Sequence, residues 1–196
     1  LSGSFSYKTL PTTIYKILHQ YLPTLFEASA ESATTNNNLD FYAYFRELDS
    51  ITQVLDLGID LPSYPTVKGF IHEDKNQIGV QALIPYINTD GAKMEDITIS
   101  LDNRNEELDL SLYVLNHLPQ DNPTAAKLGD IKATLRMTAA NDEMNLQVEL
   151  GNTDSVRNEG LISIASQLSK YKGQPMFNIE VLPTGCLALD LALGVG

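Results

Sequence analysis

Ile97-Thr98-Ile99-Ser100-Leu101-Asp102-Asn103-Arg104-Asn105-Glu106-Glu107-Leu108-Asp109-Leu110-Ser111-Leu112-Tyr113-Val114 is the stretch from which the fold is read. Aliphatic residues fall at Ile97, Ile99 and Leu101, and again at Leu108, Leu110, Leu112 and Val114. A period of two sends one set of side chains to each face of a strand. Asp102-Asn103-Arg104-Asn105 is a tight polar turn between the two runs, so the stretch reads as an antiparallel hairpin with one aliphatic face.

The same pattern extends in both directions. Downstream it returns at Ile131, Ala133, Leu135 and Met137, then at Met144, Leu146, Val148 and Leu150, joined across Ala140-Asn141-Asp142. Two further strands are expected near Leu161 to Leu168 and Met176 to Leu182. Upstream, Val67 to Ile71 and Ile78 to Ile84 form a hairpin across Glu73-Asp74-Lys75-Asn76. Before it, Leu39, Phe41, Ala43 and Phe45 alternate with Asp40, Tyr42, Tyr44 and Arg46. A short helical turn is expected around Ser50 to Leu57, ahead of Pro62 and Pro65. Short polar turns join these runs and helix-length connections are lacking, which describes a meander of hairpins. The expected fold is mainly β: a curved antiparallel sheet of successive hairpins, a trough or half-barrel, with one N-terminal amphipathic helix.

That helix is read from Ile14, Ile17, Leu18, Tyr21, Leu22, Leu25 and Phe26, whose spacings of three and four make one apolar stripe. Pro11 suits its first turn, and Pro23 should kink or end it. The stripe implies a helix of about residues 10–26 packing on the end of the sheet, since the basic face of a membrane-surface helix is lacking. Residues 27–38 turn small and polar and are expected to form a mobile loop, followed by the meander over 39–182. Residues 1–182 are thus expected to be a single β-rich segment, with 183–196 set apart as a tail.

The 196 residues are 43% hydrophobic and 19% charged, as in a folded protein. A net charge of −12 argues against nucleic-acid binding, which needs clustered Lys and Arg, and against charge-driven attraction to anionic membranes. No apolar run is long enough to cross a bilayer as a helix. Opening at Leu1 and closing on Gly194-Val195-Gly196, the chain is read as a fragment of a longer protein. His19, His72 and His117 lie far apart, fit no metal-ligand spacing and are expected at the surface. Asp102 to Asp109 lacks the glycine and ligand spacing of a calcium loop. The lone Cys186 has no nucleophile signature, and acids such as Asp102 and Glu106 are expected to be simply solvated. No catalytic residue, metal site or cofactor is expected, and a hydrolase has no residue constellation behind it.

Ile179 to Gly196 resembles the segment that precedes the phosphate loop in the RecA recombinase family. No Gly-Lys-Ser or Gly-Lys-Thr occurs in the chain, so nucleotide binding is rejected and the tail is treated as chance similarity or a junction.

A broader resemblance covers residues 1 to about 180. Leu1-Ser2-Gly3-Ser4-Phe5-Ser6-Tyr7-Lys8-Thr9-Leu10, the Ile17-Leu18-His19-Gln20-Tyr21-Leu22-Pro23 helix, the Asn-rich loop, Asp40-Phe41-Tyr42-Ala43-Tyr44-Phe45, Thr66-Val67-Lys68-Gly69-Phe70 and the repeating hairpins resemble the TamB family of translocation and assembly proteins, especially its long Bacteroidetes-type forms. Ile179 to Pro183 fits a strand-ending motif of that family, whereas Leu189-Asp190-Leu191-Ala192 departs from the motif that follows. The resemblance implies the periplasmic part of an inner-membrane-anchored cell-envelope protein. It would conduct phospholipid or aid outer-membrane protein assembly, with a BamA-type assembly protein as partner of the parent chain.

On this reading an apolar groove takes phospholipid acyl chains and is lined by Ile97, Ile99, Leu101, Leu108, Leu110, Leu112, Ile131, Leu135, Leu146, Val148 and Leu150. Ile14, Ile17, Leu18, Tyr21, Leu22 and Leu25 pack the helix. The same rows also suit an ordinary sandwich core. A reading of another class is a surface β module for adhesion or glycan binding, with Tyr42 and Tyr44 as its exposed aromatics.

Overall fold

The computed structural model describes residues 1–26, 36–46, 64–89, 92–117, 129–153 and 159–182. The helical turn expected at 50–57, Cys186 and the tail at 183–196 lie outside them.

Strand alternation produces what it should: ten antiparallel strands among the described residues, in one sheet whose spatial order is the chain order. They are β1 (Ser2–Ser4), β2 (Asn38–Tyr44), β3 (Thr66–His72), β4 (Gln77–Thr89), β5 (Ala92–Asp102), β6 (Leu108–His117), β7 (Ile131–Ala140), β8 (Glu143–Asn152), β9 (Glu159–Tyr171) and β10 (Gln174–Leu182). The sheet is not closed, since β1 and β10 are its two edges.

Turn chemistry sets the register. Ala140 pairs with Glu143 across Asn141 and Asp142, both at positive φ (53° and 63°). Tyr171 pairs with Gln174 across Lys172 and Gly173, again both at positive φ (52° and 79°). Two such residues make the tight hairpin turn whose twist matches that of the strands. Among the described residues one irregularity interrupts the ladders. Between Glu95 and Thr98 the β5–β6 register shifts, with Asp96 at φ 52°, so one extra residue is bulged out of β5.

The N-terminal edge carries no alternation in its sequence, and β1 was not expected. Ser2 to Ser4 pair with Asn38 to Asp40, and Gly3 is held at φ 120°. A Cβ on Gly3 would sit 2.0 Å from the Asn38 carbonyl oxygen, so only glycine allows this approach. Of the anticipated loop of 27–38, residues 27–35 lie outside the described residues, and its end is not loop. Asn37 is buried and hydrogen-bonded and Asn38 begins β2, because this short polar segment supplies partners to the helix and to β3.

The single helix among the described residues, α1, spans Leu10–His19. It is shorter than the expected 10–26. Its last residue stands four before Pro23, the carbonyl that a proline ring would clash with. The apolar stripe nonetheless continues through turns: Leu22 bonds back to Leu18 (3.0 Å), and Leu25 and Phe26 both bond back to Leu22 (3.0 Å).

Ile17, Tyr21 and Leu22 are buried against Ile71, Ile78, Leu108, Ala139 and Leu168. Leu10, Ile14, Leu18, Leu25 and Phe26 pack partly buried around them. Each full burial of such a side chain stabilises by roughly 1.5–3 kcal/mol. The helix therefore closes one end of the sheet.

Polar contacts fix where along that end it lies. Glu73, in the β3–β4 turn, accepts the Thr13 hydroxyl (3.0 Å), the Asn37 N–H (3.0 Å) and the Lys16 ammonium (3.3 Å). Asn103, in the β5–β6 turn, donates to the Tyr21 hydroxyl (3.1 Å) and the Asn76 carbonyl (2.8 Å), and accepts the Ile78 N–H (2.8 Å). Asp142, in the β7–β8 turn, accepts the Thr24 N–H and hydroxyl (2.9 Å each) and donates its own N–H to the Tyr21 carbonyl (2.9 Å). Thr13 and Tyr21 are eight residues apart, about 12 Å along a helix. Successive hairpins stand about 9.6 Å apart in a sheet. The helix and its extension thus run across the strands, one turn clamp to the next.

Glu73→Ala should destabilise the fold by about 1–3 kcal/mol, because it strips a buried acceptor from Thr13 and Asn37. Lys16→Ala, which removes a largely exposed partner of the same carboxylate, should cost under about 1 kcal/mol. Urea unfolding of the two variants compares them; equal small losses would refute the clamp.

Candidate functional site: the apolar face of the sheet

Register assigns each strand residue to a face. Leu101 pairs with Leu110, Leu110 with Met137, Met137 with Leu146 and Leu146 with Ile164. One step further from the helix, Ala82 pairs with Ile99, Ile99 with Leu112, Leu112 with Leu135, Leu135 with Val148 and Val148 with Ile162. A third row runs through Val114, Ala133, Leu150 and Gly160. Cross-strand partners point the same way, and residues two apart in a strand share a face. Ile97, Leu108 and Ile131 follow by that alternation from Ile99, Leu110 and Ala133. All eleven residues expected to line a groove therefore sit on one side of the sheet, the side on which the helix packs.

They are not equally covered. Leu108 and Ile97 are buried, Leu150 is exposed, and the other eight are half-buried. Of the helix-packing residues, Ile17, Tyr21 and Leu22 are buried, while Ile14, Leu18 and Leu25 are partly so. The helix meets the end row of Ile71, Ile78, Leu108, Ala139 and Met144; in the three rows described above most residues are half-buried, although Ile97, level with the third, is buried away from the helix. Among the described residues no second sheet lies over these rows. Val80, Ile162 and Ile164 extend the same face and were not among the expected lining. Ile162 and Ile164 are flanked by Leu161 and Ala165, so apolarity on both sides hid their period.

The opposite face is mainly polar, although Leu83, Tyr113, Leu115 and Leu161 also lie on it. Tyr42, Lys68, Gln81, Ser100, Ser111, Arg136, Gln147 and Ser163 form one row across β2 to β9. Ser111 and Leu112, neighbours in sequence, thus belong to opposite surfaces.

The histidines are less exposed than expected: all three are half-buried, held by local partners. His19 bonds the Phe26 carbonyl, and His72 lies 3.4 Å from Asp40. His117 stands between two carboxylates, with Nε2 2.8 Å from Glu95 and Nδ1 2.9 Å from Asp130. The carboxylates meet opposite edges of the imidazole, so they do not converge on one ion, and among the described residues no group of three such side chains could hold a metal. Hydrogen bonding to Glu95 raises the His117 pKa, with Asp130 adding to it. Glu95 is lowered by its bond to Lys93 first and to His117 second. Asp102 is not simply solvated, because it grips Arg104 through Nε at 2.8 Å.

No protein-family model matches the chain, and no curated protein or solved structure matches it either.

His117 charged in the folded state stabilises fully below its ordinary value of 6.5, and the gain is lost as pH rises through the raised value. Glu95 works in reverse: its contribution is full above 4.5 and fades as pH falls through the lowered value. The destabilisation caused by His117→Gln should therefore be largest between about pH 4.5 and 6.5 and shrink towards pH 8. Urea midpoints of both proteins across that range test it, and a pH-independent difference would count against the cationic bridge.

Proposed function

We propose that the apolar face binds lipid acyl chains, as a non-enzymatic segment of a cell-envelope protein of TamB type. The observation that carries this reading is the largely aliphatic face running across β4 to β9, which among the described residues its own helix covers at one end only. A sheet suits this task because its backbone hydrogen bonds are made between strands, leaving the lining free for hydrocarbon. Each methylene of an acyl chain buried along the rows would contribute roughly 0.8 kcal/mol. Half-exposed aliphatic rows of this extent are costly in water and mark an interaction surface. The resemblance to the TamB family supports a periplasmic setting, phospholipid as cargo, and a BamA-type partner acting through the parent chain.

Native purification followed by lipid extraction and mass spectrometry tests the proposal. Phospholipid should accompany the protein. Leu112→Asp should reduce it by at least about tenfold, because an unpaired carboxylate against hydrocarbon costs well over the 1.4 kcal/mol that a tenfold change requires. Ser111→Asp, one residue away on the polar face, should leave it unchanged. Lipid-free wild-type protein, or equal lipid in both variants, would sink the reading.

A further inference from the structure

The polar face carries its own concentration of aromatic side chains. Tyr42, Tyr44 and Tyr64 are 62%, 45% and 53% exposed. Tyr44 and Tyr64 are stacked, with ring centroids 5.4 Å apart and planes 20° from parallel. The Arg46 guanidinium lies 5.8 Å from the Tyr44 centroid. Tyr64 holds its place at φ 89°, a backbone conformation that bulky residues adopt only under constraint and that recurs at functional sites. Its N–H is anchored on the Phe45 carbonyl at 2.9 Å.

Register carries this cluster into a depression of about 530 Å³. Tyr42 and Tyr44 are two residues apart on one strand, hence about 7 Å apart on the same face. Tyr42 stands beside Lys68, and Asp40 beside Phe70. The Phe70 ring lies over Gly79, where a Cβ would come within 2.4 Å of it. Arg104, held by Asp102, stands 5.2 Å over the same ring. Gln81 and Ser100 also line it. A line of rings therefore runs from Tyr64 through Tyr44 and Tyr42 to Phe70, edged by amide, hydroxyl, carboxylate and cationic groups.

We propose that this strip binds a carbohydrate chain bearing carboxylates. Pyranose rings bury their C–H faces on tyrosine rings, which offer rigid amphipathic area at small entropic cost. Asp40, Gln81 and Ser100 hydrogen-bond sugar hydroxyls. Lys68 and Arg46 pair with sugar carboxylates. Among the described residues Arg46, Lys68 and Arg104 outnumber Asp40 and Asp102 here, against a chain net charge of −12, so the strip favours scattered negative charge that the chain as a whole repels. A phosphodiester at every unit suits it poorly, because Asp40 and Asp102 also face the ligand.

Calorimetric titration of the whole chain with hexameric galacturonate, mannuronate–guluronate and glucuronate–N-acetylglucosamine oligosaccharides tests this, with cellohexaose as the neutral comparator. At least one acidic oligosaccharide should bind. Tyr42→Ala combined with Tyr44→Ala should weaken it by about tenfold or more, and Lys68→Gln severalfold with a shallower salt dependence. Tyr171→Ala, at an equally exposed tyrosine near β10, should change nothing. Three results would overturn the proposal: binding to none of the acidic chains, binding indifferent to the tyrosine pair, or cellohexaose binding as well as they do. None bears on lipid, which concerns the other face.

Discussion

Pairing register is the constraint on which this molecule depends. In a meander every strand is held only by its neighbours and by the turns that join them, and a slip of one residue sends every side chain to the wrong face. With a continuous aliphatic face at stake, such a slip in one strand would break each row that crosses it. The tight turns at Asn141-Asp142 and Lys172-Gly173 allow little slack, and their positive φ values are what two-residue turns between right-twisted strands demand. Among the described residues, the bulge at Asp96 is the place where a ladder is offset. It lies beside Ile97, after which alternation runs cleanly to Leu101.

The helix has a second, narrower role. Its apolar stripe could bind anywhere on the aliphatic face, since the rows are chemically alike. What localises it is polar: Glu73, Asn103 and Asp142 occupy three successive turns at the same end and reach for Thr13, Tyr21 and Thr24. Hydrophobic burial supplies most of the attraction and the turn side chains choose the position. Because the helix is held at the turns, it shields the end row, while most residues of the rows beyond are half-buried.

Much of this was legible in the sequence, for a definite physical reason. Period-two alternation is local, so β2 to β8 follow from runs such as Leu108, Leu110, Leu112 and Val114 without knowledge of their neighbours. Antiparallel hairpins also make sequence order equal to spatial order, so the sheet order followed too. The helix boundary was less legible, since the stripe persists through the turns after His19 although the α-helical backbone does not. Glu73, Asn37 and Asn103 were missed as a class. A polar residue in a polar turn carries no signal that a helix tens of residues earlier will bury it. The candidate groove was legible as a set of residues, because a face is a property of periodicity. How far that face is covered was not, because coverage depends on where the helix is clamped.

A pleated sheet couples its two surfaces residue by residue, and this bears on both proposed sites. Tyr42 and Phe41, or Ser111 and Leu112, cannot change sides independently; the register that aligns the aliphatic rows also aligns the polar ones. The aromatic strip lies on β2 to β5, where the reverse side includes the end row packed by the helix. That row is not confined to these strands, since Leu108, Ala139, Met144 and Leu168 carry it on across β6 to β9. The half-shielded aliphatic rows lie beyond it, across β4 to β9. A rigid platform suits stacking on fixed rings, whereas a lining for hydrocarbon needs only continuous apolar area. The two faces of one sheet therefore make different demands on order, and a single register has to serve both.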